Sequence, residues 1–104
     1  MHVSERPHPL PHDGPRRPLG DLEDIWDYTV RRWGLDQAEF YTRQIWQHID
    51  DAARRPTIGR ACPEVRAGHY KCASGSHILF YRRIDGDVDI VRILHKRMDF
   101  GRHF

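Results

Sequence analysis

The chain has 104 residues, a net charge of +2 and 31% charged residues, enough for one domain with a modest core and too little for two. With charges so nearly balanced, a basic surface must come from clustering rather than overall excess, and the total alone does not imply nucleic acid. No run approaches the ~20 apolar residues that span a bilayer, and Cys62 and Cys72 lack CxxC spacing, which favours reduced thiols in a cytoplasmic protein.

Residues 1–18 carry Pro7, Pro9, Pro11, Pro15 and Pro18, five of the seven prolines, together with His2, His8 and His12. Proline removes backbone donors and blocks helix and central strand, so this stretch reads as an irregular arm with nothing that alternates as a strand. The folded domain is expected over 19–104.

From Leu19 to Trp33 the pattern becomes helical. Leu19, Leu22, Ile25, Trp26, Thr29, Val30 and Trp33 recur at intervals of three and four, with Asp21, Glu23, Asp24 and Asp27 between them. Acids toward the start and Arg31 and Arg32 at the end suit the helix dipole, and Gly34 supplies the stop. Glu23, Asp24 and Asp27 read as a solvated face rather than an acid/base or metal cluster.

Asp36, with Glu39 three residues on, predicts an N-cap for a second helix running to about Arg54. Its stripe is Ala38, Tyr41, Ile45, Ile49 and Ala52, and Pro56 ends it. The short link makes the two helices antiparallel neighbours. Phe40 and Trp46 lie off the stripe and are read as broadening the core, the alternative being a partner's groove.

After a connector punctuated by Pro56, Gly59 and Pro63, the stretch from Gly68 to Phe104 holds three runs rich in β-branched and aromatic residues. Ser74-Gly75 and Asp85-Gly86 separate them, which predicts an antiparallel meander. The Asp-Gly pair tolerates the positive φ that a type I′ turn requires. The apolar residues of the last two runs are nearly continuous, so both sheet faces should be at least partly covered.

The meander is dense in cations: Arg66, Lys71, Arg82, Arg83, Arg92, Lys96, Arg97 and Arg102, with His69, His77, His95 and His103. No phosphate loop, GxSxG or zinc-finger spacing accompanies them, and no metal or cofactor is expected. Two readings stay open from the residues alone. One is a metal-independent ribonuclease in which arginines neutralise phosphate and His95, beside Lys96 and Arg97, moves protons. The other is a basic surface for an acidic protein partner.

Three motifs carry a family resemblance: DLEDIWDYT with Trp33-Gly34 (Asp21 to Gly34), RAGHYKCASGSHILFYR (Arg66 to Arg82) and VRILHKRMDFGRH (Val91 to His103). Through them the chain resembles ParE toxins of the ParE/RelE superfamily of toxin–antitoxin modules. The resemblance implies an α+β fold in which a helical hairpin packs on a small twisted antiparallel sheet. The family's usual first strand is expected to be replaced here by the Pro- and His-rich arm, leaving an unpaired edge and a free toxin that aggregates without its antitoxin.

The resemblance also implies poisoning of DNA gyrase, blocked replication and neutralisation by a ParD-type antitoxin, with a role in plasmid maintenance and no direct sequence-specific nucleic-acid binding. The superfamily's nuclease branch implies messenger RNA cleavage on the ribosome instead, and a third possibility is a non-toxic remnant that binds antitoxin. The nuclease branch often uses a C-terminal tyrosine, where this chain offers Phe100 and Phe104, which have no ionisable hydroxyl. The gyrase reading is therefore favoured. Candidate partner-binding residues are Arg82, Arg83, Arg92, His95, Lys96, Arg97, Arg102 and Phe104.

Overall fold

The computed structural model describes residues 2–3, 17–55, 57–65 and 67–98. In chain order the elements are β1 (His2–Val3), α1 (Arg17–Trp33), α2 (Leu35–Arg54), β2 (Arg60–Ala61), β3 (His69–Ser74), β4 (His77–Ile84) and β5 (Asp87–His95). The strands form one antiparallel sheet in the order β1-β5-β4-β3-β2. The predicted meander β3-β4-β5 is its centre. Asp85 and Gly86 have φ of 48° and 85°, the pair of left-handed residues that a type I′ hairpin needs to match the strand twist.

Both sheet faces are covered, by different parts of the chain. On one face Leu22 and Ile25 of α1 and Ile45, Ile49, Ala52 and Ala53 of α2 pack on Cys72, Leu79, Tyr81, Val88, Ile90 and Ile93. On the other, the connector supplies Cys62 and Val65, which close over Phe80, Leu94 and Ile78. The sheet is thus a helix-backed layer with a second, smaller core, and that is why the strands read as nearly continuous apolar runs. The two cysteines are buried and free.

Three sequence expectations are corrected. The arm does supply a strand: His2 and Val3 pair with Asp89 and Val88 of β5. Two residues are too short for alternation to register in sequence, so the sheet edge is paired there where an unpaired edge was expected. The remaining arm prolines before Pro18 lie outside the described residues.

Helix α1 starts at Arg17, two residues early, with Pro18 buried in its first turn. A proline there gives up an N–H that has no intrahelical acceptor. The earlier start also leaves no acid in the first turn.

Asp36 is not an N-cap. Gly34 holds that position with φ 94° and no side-chain cap bond, and its carbonyl accepts the Ala38 N–H at 3.1 Å. Asp36 sits inside the first turn, where its charge still faces the positive end of the helix dipole.

Between Phe80 and Tyr81 the β4–β5 register shifts: Phe80 faces Arg92 and Tyr81 faces Ile90, so Val91 is an extra residue. Such a bulge bends the strand and re-aims its neighbours. Among the described residues no helix is long and apolar enough to cross a membrane.

Candidate functional site: a hairpin groove and a polar strand end

The outer side of the hairpin is apolar and open. Leu19, Leu22 and Trp26 of α1 and Trp46 of α2 line a groove of ≈ 450 Å³, with Glu23 and Asp27 on its rim. Trp33 and Leu35, at the tip between the helices, are 65% and 55% exposed. Trp46 and Phe40 were expected to widen the core, yet they are 42% and 54% exposed. The buried residues of α2 are Ala38, Ile45, Ile49, Ala52 and Ala53, and the two aromatics stand off that face. Glu23, Asp24 and Asp27 are exposed, as a solvated face requires.

At one end of the helix-backed sheet face the apolar rows stop. Ser74, His77 and His95 stand side by side across β3, β4 and β5, and α2 lowers Tyr41 and His48 onto them. The Tyr41 hydroxyl accepts the Ser76 N–H at 2.9 Å. The same hydroxyl lies 2.6 Å from His77 Nδ1 and 3.4 Å from the Ser74 carbonyl oxygen. His48 Nδ1 lies 2.6 Å from Ser74 Oγ. The His77 and His95 rings meet edge to face at 5.3 Å.

His95 Nδ1 accepts the Arg97 N–H at 3.1 Å, which leaves the ring proton on Nε2. Burial, with help from His95 and against the pull of Asp21, lowers the His77 pKa to about 4. His77 is therefore neutral at pH 7.

The candidate cations divide into several settings. Arg92 is a structural arginine, its side chain 16% exposed and held by Asp21 of α1. Arg82 pairs with Asp89 on the neighbouring strand. Arg83 lies over the rings of Tyr70 and Tyr81, at 5.1 and 5.7 Å from their centroids, and its charge opposes the burial that pushes the Tyr81 pKa up. His95 is half-buried in the polar row, whereas Lys96 and Arg97 are exposed just past the end of β5. Arg102 and Phe104 lie outside the described residues, as do Arg66, Phe100 and His103.

Sequence reasoning named His77 and His95 but missed Tyr41, His48, Ser74 and Asp21 as their setting. Tyr41 looked like one more stripe residue. The first turn was expected at Ser74-Gly75, whereas Ser74 is the last residue of β3 and the turn falls at Gly75 and Ser76, which sets Ser74 opposite His77.

The molecule is therefore a small α+β domain whose outward chemistry is an acid-rimmed apolar groove on the hairpin and a cationic exit from the last strand. The family model described as "ParE toxin of type II toxin-antitoxin system, parDE" matches residues 16–100. A curated relative, Toxin ParE1 of Mycobacterium tuberculosis (strain ATCC 25618 / H37Rv), is 55% identical over 83 residues, covering 79% of this chain and 85% of its own. Toxin ParE1 of Caulobacter vibrioides (strain ATCC 19089 / CIP 103742 / CB 15) is 43% identical over 88 residues, with 85% and 91% covered. A solved structure titled "Chromosomal ParDE TA system from P. aeruginosa" shares the fold, with a TM-score of 0.66 at 20% identity over 77% of this chain and 88% of that one. The chain belongs to the ParE toxin family of type II toxin–antitoxin systems.

Proposed function

We propose that this toxin poisons DNA gyrase and so blocks replication, and that a ParD-type antitoxin neutralises it in the cytoplasm. The observation that carries the reading is the separation of two unpartnered surfaces, the hairpin groove at Trp26 and Trp46 and the exposed Lys96 and Arg97 beyond β5. The antitoxin covers the groove and the adjacent sheet with an apolar segment. The strand exit and the residues that follow it, Arg102 and Phe104 included, face the target. Arg82 and Arg83 lie at the far end of β4 from this exit, beside the Asp85-Gly86 turn, and form a separate candidate contact, while Arg92 contributes from within by holding the edge of β5.

Proton-transfer catalysis is not part of this reading, because the C-terminal stretch where the nuclease branch often carries a tyrosine has Phe100 and Phe104, which have no ionisable hydroxyl. The deciding experiment assays the purified chain in parallel for inhibition of gyrase supercoiling and for messenger RNA cleavage in a translation extract. Inhibition of supercoiling alone is expected. Cleavage without any effect on gyrase overturns the proposal, and inactivity in both with antitoxin binding intact identifies a non-toxic remnant.

A further inference from the structure

The polar strand end has a geometry that its place in the core does not require. The ring of Tyr41 packs on the β3–β4 turn so closely that a Cβ on Gly75 would lie 2.7 Å from it. A phenylalanine would fill the same space, and the hydroxyl is the part that needs an explanation. Two lines of contact start from it and both end on the backbone just after β5. In the first, the hydroxyl takes the Ser76 N–H at 2.9 Å, and the Ser76 carbonyl in turn takes the Lys96 N–H at 3.0 Å. In the second, the hydroxyl is hydrogen-bonded to His77 Nδ1, the His77 ring abuts His95, and His95 Nδ1 takes the Arg97 N–H. The His95 carbonyl then accepts the Met98 N–H at 2.9 Å and closes a turn.

We propose that Tyr41 is a positioning residue for the exit of the chain from β5: its hydroxyl, acting through Ser76 and His77–His95, fixes the direction in which Lys96 and Arg97 are presented. This rests on the reading that the exit faces the target. It places the determinant of that surface on α2, in a residue that need not touch the target itself. Among the described residues His95 is the last paired residue of β5. The Lys96 N–H bond to Ser76 closes that ladder, and the Arg97 N–H bond to His95 Nδ1 and the Met98 N–H bond to the His95 carbonyl set the turn beyond it, so the Tyr41 hydroxyl braces the exit where sheet pairing ends.

The test compares the full chain with its Tyr41→Phe variant, which keeps the ring and removes the hydroxyl, and with Tyr41→Leu, which removes the hydroxyl and the ring together while the position stays apolar. Amide hydrogen exchange is measured residue by residue, alongside gyrase inhibition and antitoxin affinity. The expected result in both variants is exchange at Lys96 and Arg97 about tenfold faster while β3, β4 and the body of β5 keep their protection. Half-inhibition of gyrase then needs about tenfold more toxin, with antitoxin affinity within twofold of the parent. Unchanged protection at Lys96 and Arg97 overturns the proposal. So does a uniform loss of protection through the sheet, or antitoxin affinity falling in step with inhibition. A parent chain with no effect on gyrase rejects the target reading separately and leaves the exchange rates to decide the positioning.

Discussion

Asp21 of α1 receives both arms of the Arg92 guanidinium, at 2.8 and 2.9 Å, and one of the same oxygens accepts the Ile93 N–H at 2.9 Å. Among the described residues β1 pairs with β5 at Val88 and Asp89 alone, and farther along that edge a carboxylate takes a backbone donor. The bulge at Val91 sits immediately before Arg92, consistent with its side chain being re-aimed toward α1. One acid thus ties helix, strand edge and cation together.

Removing that acid should be costly. Asp21→Ala leaves a half-buried guanidinium and an amide unpaired, and we expect a loss of about 3 to 4 kcal/mol in urea unfolding. Asp21→Asn keeps an acceptor for Ile93 and should lose about half as much. A loss below about 0.5 kcal/mol for the alanine variant would place the pair among inert surface bridges.

His77 predicts an acid-sensitive fold. Its native pKa of about 4 lies below the ordinary 6.5, so between those values the unfolded chain binds a proton that the native chain refuses. Stability therefore falls as pH drops from 6.5 toward 4 and is unaffected by His77 above that window. The groups that face it are Tyr41 on α2, His95 on β5 and Asp21 on α1. Allowing for partial exposure, the decline is on the order of 2 kcal/mol. Urea titrations at pH 7, 5.5 and 4.5 should show it, with a smaller decline in His77→Gln.

The hairpin groove should matter to the antitoxin and little to the fold. Trp46→Ala removes an indole that is 42% exposed and outside the buried core, so the melting temperature should fall by no more than about 5 °C. Antitoxin affinity should fall by about tenfold or more, as truncation of an aromatic anchor does. Titration calorimetry with the antitoxin measures it, and equal affinities would remove the groove from the interface.

Charge reversal beyond β5 tests the target-facing surface. Arg97→Glu combined with Arg102→Glu should abolish growth inhibition while leaving circular dichroism and antitoxin binding intact. Undiminished toxicity would reject the assignment.

The elements were legible in the sequence wherever periodicity or turn chemistry speaks plainly. Ala38, Ile45, Ile49 and Ala52 form the buried stripe that their spacing announces, and Asp85-Gly86 makes the predicted hairpin. The strand end was not legible, and the reason is a single residue. Counted back from the Asp85-Gly86 turn, where Ile84 faces Asp87, an unbroken register would set His77 against Leu94. The extra residue at Val91 moves the partner to His95. A bulge leaves no mark in composition, so neither the imidazole pair nor its link to Tyr41 could be drawn from spacing. Trp46 failed differently, because an aromatic at helical spacing has the same signature whether it meets its own sheet or awaits another surface.

The row Ser74–His77–His95 also constrains how the strands can assemble. A slip of β4 by one residue would turn Leu79 and Tyr81 away from the helices, while a slip by two would press the His77 imidazole against Cys72 or Ile93. Three polar residues at the rim of an oily layer thus act as an alignment mark, penalising misthreaded hairpins before the helices dock and admitting one pairing alone.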